Sequence, residues 1–172
     1  MGKKDKESEG FLGLGSNLGD RQVNLRSARE RLAQAGLHIL QSSCIYETPP
    51  WGKTDQEPFL NQVLRVAGHF EALEVLDLVL GIETDMGRKR LETWGPRLID
   101  LDVLDWGGEE LNHDRLKIPH PYMHERAFVL LPLAEIAPEY VHPVTGMGIF
   151  EMMDDLSEAD KAGIVADPSK NL

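Results

Sequence analysis

The stretch that most constrains this chain runs from Trp94 to Leu104. A Trp-Gly-Pro-Arg turn leads straight into an apolar run that carries two carboxylates, Asp100 and Asp102. Strand side chains alternate between faces with a period of two, so a strand over Leu98–Leu104 sets both carboxylates on one face. Two like charges held together are unfavourable without a cation between them. Oxygen-rich pairs of this kind suit Mg²⁺, which completes its shell with phosphate oxygens and water. An isolated Asp-x-Asp is more often a solvated face on an edge strand. Here Arg88, Lys89, Arg90 and Arg97 stand just upstream in a chain of net charge -11, a local cationic group of the sort polyphosphate needs.

Length and composition bound what the pair can mean. With 172 residues, 41% of them hydrophobic, the chain is read as one catalytic domain over residues 11–165. A charged, flexible tail is expected at 1–10 and a loose end at 166–172. The acidic balance argues against a nucleic-acid or anionic-membrane binder, since those partners select basic surfaces. No apolar run approaches the length of a membrane span. Cys44 is the single cysteine, which excludes an intrachain disulfide framework and suits a reducing cytoplasm; its surroundings read as those of a buried small hydrophobe. A monomer is expected.

In chain order, Phe11-Leu12-Gly13-Leu14-Gly15 reads as a strand whose glycines mark close approach either of a ligand or of a crossing helix. A helix follows from Arg21, with Leu25, Ala28, Leu32 and Ala35 at helical spacing, Asp20 as cap and Gly36 as stop. Leu37–Glu47 is a second strand, broken by Thr48-Pro49-Pro50-Trp51-Gly52. The polar loop from Thr48 to Pro58 is either a lid beside a site or a surface loop with Trp51 tucked inward. Phe59–Ala67 is a third strand, in which the amide of Asn61 must find partners, a ligand edge or, as the favoured reading, a backbone group. Ala72–Met86 is a helix with Leu73, Leu76, Val79, Leu80 and Glu83 facing inward and Gly87 as stop.

The basic loop Arg88–Arg97 precedes the Asp-bearing strand. Gly107-Gly108 is expected to turn that strand into a short partner at Glu109–Leu111. Arg115 and Lys117, at alternating positions, point one way and extend a cationic wall. His120 and His124 have helical metal-ligand spacing, but Pro121 between them breaks such a helix, so a zinc site is rejected. Met123–Ile136 is helical in pieces, interrupted near Pro132, with Arg126 and Phe128 on different faces. Ile149–Ala162 is a last amphipathic helix. The sum is an α+β fold with a ferredoxin-like βαββαβ core: an antiparallel sheet with helices packed on it, plus an extra hairpin and C-terminal helices.

Gly15-Ser-Asn-Leu-Gly19, Thr48-Pro-Pro50, Phe59-Leu-Asn61, Trp94-Gly-Pro-Arg97 with Asp100-Leu-Asp102, Pro119-His120 and Glu125-Arg-Ala-Phe128 together resemble the 6-hydroxymethyl-7,8-dihydropterin pyrophosphokinase family, in the same order over nearly the whole chain. That resemblance implies an Mg-dependent diphosphotransferase of folate biosynthesis. It would move pyrophosphate from ATP to the hydroxymethyl oxygen of the pterin and leave AMP. It further implies that Asp100 and Asp102 hold two Mg²⁺ ions, with Arg88 and Arg97 completing the catalytic set. Glu83, Arg88, Trp94, Arg97, Val103, Arg115, Lys117, His120 and Arg126 would meet ATP. Phe59 and Phe128 would sandwich the pterin ring, with Gly15, Thr48, Pro49, Trp51 and Asn61 around its edge. The chain departs from the family at Glu92-Thr93, where a basic residue is usual. A nucleotidyltransferase, also built on Asp-x-Asp, and a non-catalytic ligand-binding module are the competing readings. Neither accounts for Asn61, Phe59 and Phe128 together with the basic loop.

Overall fold

The computed structural model describes residues 6–50, 55–87 and 97–167. Its centre is an antiparallel sheet. The first strand, β1 (Ser8–Ser16), lies between β4 (Phe59–Gly68) and β5 (Asp100–Trp106). On the far side of β4 come β2 (His38–Ser42) and β3 (Ile45–Thr48), and β3 is flanked by β8 (Val165–Asp167). Helices α1 (Arg21–Gln34) and α2 (Ala72–Asp85) connect strands on one face. Helices α3 (Ala127–Ile136) and α4 (Ile149–Asp154) pack on the other, and α5 (Glu158–Lys161) follows α4.

The alternation of β1 and β5 builds two cores. Leu12, Leu14, Leu101 and Val103 point to α1 and α2, where they join Leu25, Leu32, Val75 and Val79. Leu104 and Val63 point the other way, against Met123, Leu130, Leu133 and Met152. Each fully buried Leu contributes roughly 1.5–3 kcal/mol relative to exposure, so burial on both faces holds the sheet between the helices. Asp20 caps α1 by accepting the Val23 N–H at 3.1 Å. No helix of the described residues is long and apolar enough to cross a membrane.

Several expectations change at their edges. Ser8–Gly10 are not a tail, since they pair with Gly68, Ala67 and Val66, and Ala166 and Asp167 are not loose, since they pair with Tyr46 and Ile45. The single strand expected over 37–47 is two. At the break the hydroxyl of Ser43 accepts the Val63 N–H at 3.0 Å, while its own N–H donates to the Val63 carbonyl at 2.9 Å, so the ladder is completed by a side chain. Cys44 is half-buried rather than buried, its N–H donating to Glu135, and that carboxylate raises the thiol pKa.

On α2 the buried stripe is Val75, Val79, Ile82 and Glu83, rotated from the expected one but still carrying Glu83 inward. The turn at Gly107-Gly108 does not make a hairpin with β5. Instead β6 (Leu111–Asn112) pairs with β7 (Lys117–Ile118), closed by reciprocal backbone bonds between His113 and Leu116. Pro132 does not interrupt α3: it is buried within the helix and only one helical donor is lost; the break falls at the extended Arg126. The expected last helix is two, since Ser157 and Asp160 form a capping box that starts α5 anew.

Candidate active site

The register of three strands assembles the site. Gly15 pairs with Asn61 of β4 on one side and with Asp100 of β5 on the other, and Gly13 pairs in the same way with Val63 and Asp102. Asp100 and Asp102 share the sheet face opposite the α1/α2 core, as their alternation requires. The two glycines keep that face low. A Cβ on Gly15 would sit 3.0 Å from Asn61 Oδ1 and 3.7 Å from the Phe59 ring, closer than the amide tolerates without moving. At Gly15 the close neighbours are side chains of β4, at Gly13 the nearest is Leu104 of β5 at 3.6 Å, and α1 packs on the opposite face.

The carboxylates differ. Asp100 accepts a hydrogen bond and ion pair from Arg97 Nη1 at 3.0 Å. Burial pushes Asp102 up to about 7, with the neighbouring Asp100 and Glu83 charges adding to it and Arg126 and Arg97 opposing. A site that makes one carboxylate reluctant to ionise and sets a guanidinium on the other is short of positive charge, which is the condition a divalent cation relieves. Among the described residues, no group of three or more His, Cys, Asp or Glu side chains could hold a metal ion. A cation at the pair would therefore take its remaining oxygens from water and phosphate.

Glu83 is buried, and its Oε1 accepts the N–H of Leu101 at 2.7 Å, the peptide between the two carboxylates. Glu83 thus holds the Asp-bearing strand through its backbone. Val103 also turns away, into the helix-side core. His120 is partly buried; its N–H donates to the Leu104 carbonyl at 2.8 Å and its Nδ1 accepts from the Tyr122 N–H at 3.2 Å. Burial and then the Arg126 charge lower its pKa to about 4, so the ring is neutral at pH 7 with its proton on Nε2. Arg126, expected on a different face from Phe128, lies over that ring at 5.5 Å and over Tyr122 at 5.6 Å. Arg126 is the extended residue before α3, so helical periodicity does not separate the two.

On the other flank, Asn61 Nδ2 donates to Thr48 Oγ1 at 2.7 Å, so the amide finds a side chain rather than the expected backbone group. Phe59 opens β4 and Phe128 lies on the first turn of α3, partly buried against the second core. Pro49 is exposed. Arg115 pairs with Asp77 of α2 rather than with the Asp100–Asp102 pair, and Lys117 is exposed on β7. Trp51, Arg88, Arg90 and Trp94, with residues 51–54 of the expected lid and the basic loop up to 96, lie outside the described residues.

Sequence reasoning passed over Asn17. It is 2% exposed, and its side chain bonds both Arg97 and the segment before β4. The turn-rich Ser16–Asp20 stretch marks the place, but nothing local names the partners.

Residues 11–138 match the family described as 7,8-dihydro-6-hydroxymethylpterin-pyrophosphokinase (HPPK). A 2-amino-4-hydroxy-6-hydroxymethyldihydropteridine pyrophosphokinase of Methylorubrum extorquens is 43% identical over 155 residues, covering 90% of this chain and 95% of its own length. One of the same description from Bacillus subtilis is 44% identical over 130 residues, 75% of this chain and 78% of the relative. Among solved structures, a Plasmodium falciparum HPPK-DHPS bound to STZ-DHP superposes with a TM-score of 0.69 at 18% identity, over 87% of this chain. The chain spans only 45% of that longer protein, and the likeness speaks for the fold alone.

Proposed function

The chain belongs to the 7,8-dihydro-6-hydroxymethylpterin-pyrophosphokinase family, and from that premise we propose that it transfers pyrophosphate from ATP to the hydroxymethyl group of 6-hydroxymethyl-7,8-dihydropterin. The hydroxymethyl oxygen bonds to the β-phosphorus and the bond from that phosphorus to the α-phosphate oxygen breaks. AMP leaves, and the hydroxyl proton passes to solvent. The observation that carries the reading is the cross-strand row Asn61–Gly15–Asp100, which sets an amide for a heterocycle edge and a carboxylate for a metal–nucleotide on either side of β1.

Asp100 and Asp102 are the residues that would hold Mg²⁺, for which the raised Asp102 and the cation already drawn to Asp100 are the fit. When bound, the metal supplies charge neutralisation on the transferring phosphates and helps to align the attacking oxygen. Around it, Arg97 leaves Asp100 for a phosphate oxygen, a short swing for a half-buried guanidinium. Neutral His120 offers Nε2–H to another, and Arg126 adds charge from the rim of α3. Glu83 acts from behind, holding the Leu101 peptide so that the carboxylates keep their spacing. Arg88 and Trp94 belong to the same nucleotide side by family resemblance.

Phe59 and Phe128 offer ring faces to the flat pterin. Thr48 fixes the Asn61 amide so that Oδ1 is presented as the acceptor for a ring N–H or amino group. The strand order β5-β1-β4-β3, all antiparallel, with α1 and α2 as crossovers supports the ferredoxin-like reading of the core. The direct experiment mixes the protein with ATP, Mg²⁺ and the pterin and identifies products by mass spectrometry. AMP together with pterin diphosphate is the expected pair. Pyrophosphate with an adenylylated acceptor would instead mark a nucleotidyltransferase.

A further inference from the structure

Asn17, just beyond β1, uses both ends of its amide on segments remote in sequence. Nδ2 donates to Gln56 Oε1 at 2.9 Å and to the Glu57 carbonyl at 3.1 Å. Oδ1 accepts the Arg97 N–H at 2.7 Å, and the Asn17 N–H donates to the Arg97 carbonyl at 3.0 Å. Gln56 and Glu57 lead into β4, with Phe59 and Asn61; Arg97 leads into β5, with Asp100 and Asp102. A buried amide that donates on one side and accepts on the other holds the two segments at one separation. No aliphatic or single-function side chain of that length does both.

Asn24 braces the same turn by donating to Ser16 Oγ at 3.1 Å and to the Leu18 carbonyl at 2.8 Å. Arg21 gives a second tie to the β4 side alone, from Nη1 to the Pro58 carbonyl at 2.8 Å. Resting on the pyrophosphoryl-transfer reading, we propose that Asn17 is the positioning residue that holds the pterin half and the metal–phosphate half of the site in register, and so couples their occupancy. The segment carrying Arg97 shifts when the guanidinium leaves Asp100 for phosphate, and Asn17 passes that shift to the strand bearing Asn61.

Calorimetry tests this. Pterin affinity is measured with and without Mg²⁺ and a non-hydrolysable ATP analogue in the wild type, Asn17→Ala, Asn17→Asp and Arg21→Met. The wild type is expected to bind pterin about tenfold or more tightly with the nucleotide present, a usual size for coupling between two sites. Asn17→Ala removes most of that enhancement. Asn17→Asp keeps an acceptor for Arg97 but cannot donate to Gln56 and Glu57; it also loses the enhancement, and raises KM for pterin more than KM for ATP. It serves if the alanine variant does not fold. Arg21→Met weakens pterin binding equally in both states and keeps the ratio. Full enhancement in folded Asn17 variants, equal loss in Arg21→Met, or no enhancement in the wild type would overturn the proposal. A wild type that binds neither ligand would overturn the pyrophosphokinase reading itself.

Discussion

Glu83 Oε1 accepts the backbone N–H of Leu101 at 2.7 Å, which places a buried acid directly behind the two half-buried carboxylates of β5. Glu83→Ala leaves that N–H buried and unpaired, at an expected cost of about 1–3 kcal/mol. Glu83→Gln keeps an acceptor and removes a charge that raises Asp102, so it should retain most stability and shift the pH dependence of Mg²⁺ binding to lower pH. Denaturant unfolding of both variants, with Mg²⁺ titrations of the second, checks the pair of outcomes.

Asp100→Ala and Asp102→Ala should each lower turnover by about 10²-fold or more, since the metal seat loses half its protein ligands. Both should remain folded, and the metal-free Asp102 variant should melt no lower than wild type, because a carboxylate held away from its ordinary range by burial is removed. Circular dichroism melts beside turnover assays decide this; a collapse of both variants would show that the carboxylates serve the fold.

Gly15→Ala places a methyl 3.0 Å from Asn61 Oδ1 and 3.7 Å from Phe59. The amide must give way, so KM for pterin should rise about tenfold while KM for ATP changes little. Gly10→Ala is the contrasting case, because its Cβ would lie 2.3 Å from the Asp105 carbonyl and 2.6 Å from the Trp106 ring. There the obstacle is backbone, and the expected result is destabilisation by about 3 kcal/mol, read by urea unfolding.

Phe128→Ala should weaken pterin binding more than ATP binding. The same change removes the surface under the Arg126 guanidinium, so a smaller loss of ATP affinity should accompany it. Calorimetry with each ligand alone measures the two; equal losses would contradict stacking on this ring.

His120 has a folded pKa near 4, below its ordinary 6.5. The unfolded chain therefore binds the extra proton first, and this residue's contribution to stability falls as pH drops from about 6.5 towards 4. Allowing for its partial exposure, roughly 2 kcal/mol should be lost across that window. Asp102 acts in the opposite sense, since its raised pKa favours the fold as pH falls below about 7. The difference between wild type and His120→Gln isolates the histidine: the variant's stability should decline less between pH 6.5 and 4.

The carboxylate pair, the two flanking helices and the strand that carries Asn61 were all legible because each depends on a period inside one segment. Leu98–Leu104 alternates, so Asp100 and Asp102 share a face wherever that strand pairs. The misses share another character. The stripe of α2 turned because Val75, Val79 and Ile82 meet a partner surface that the helix's own periodicity does not reveal. Pro132 stayed helical because its burial outweighed one lost hydrogen bond. The break before α3 set Arg126 over Phe128, against the separation that an unbroken helix would impose.

By itself, the sequence determined the family, the antiparallel α+β character and the residue types of the chemistry, since these rest on local spacing and on motifs in a set order. Only the tertiary structure decided that Gly15 separates Asn61 from Asp100, that Glu83 faces Leu101, and that Asn17 joins Arg97 to Gln56. Those relations are fixed by cross-strand register and by buried or part-buried hydrogen bonds between segments 18 to 80 residues apart, and a polar side chain's own sequence neighbours do not say which distant donor or acceptor will satisfy it.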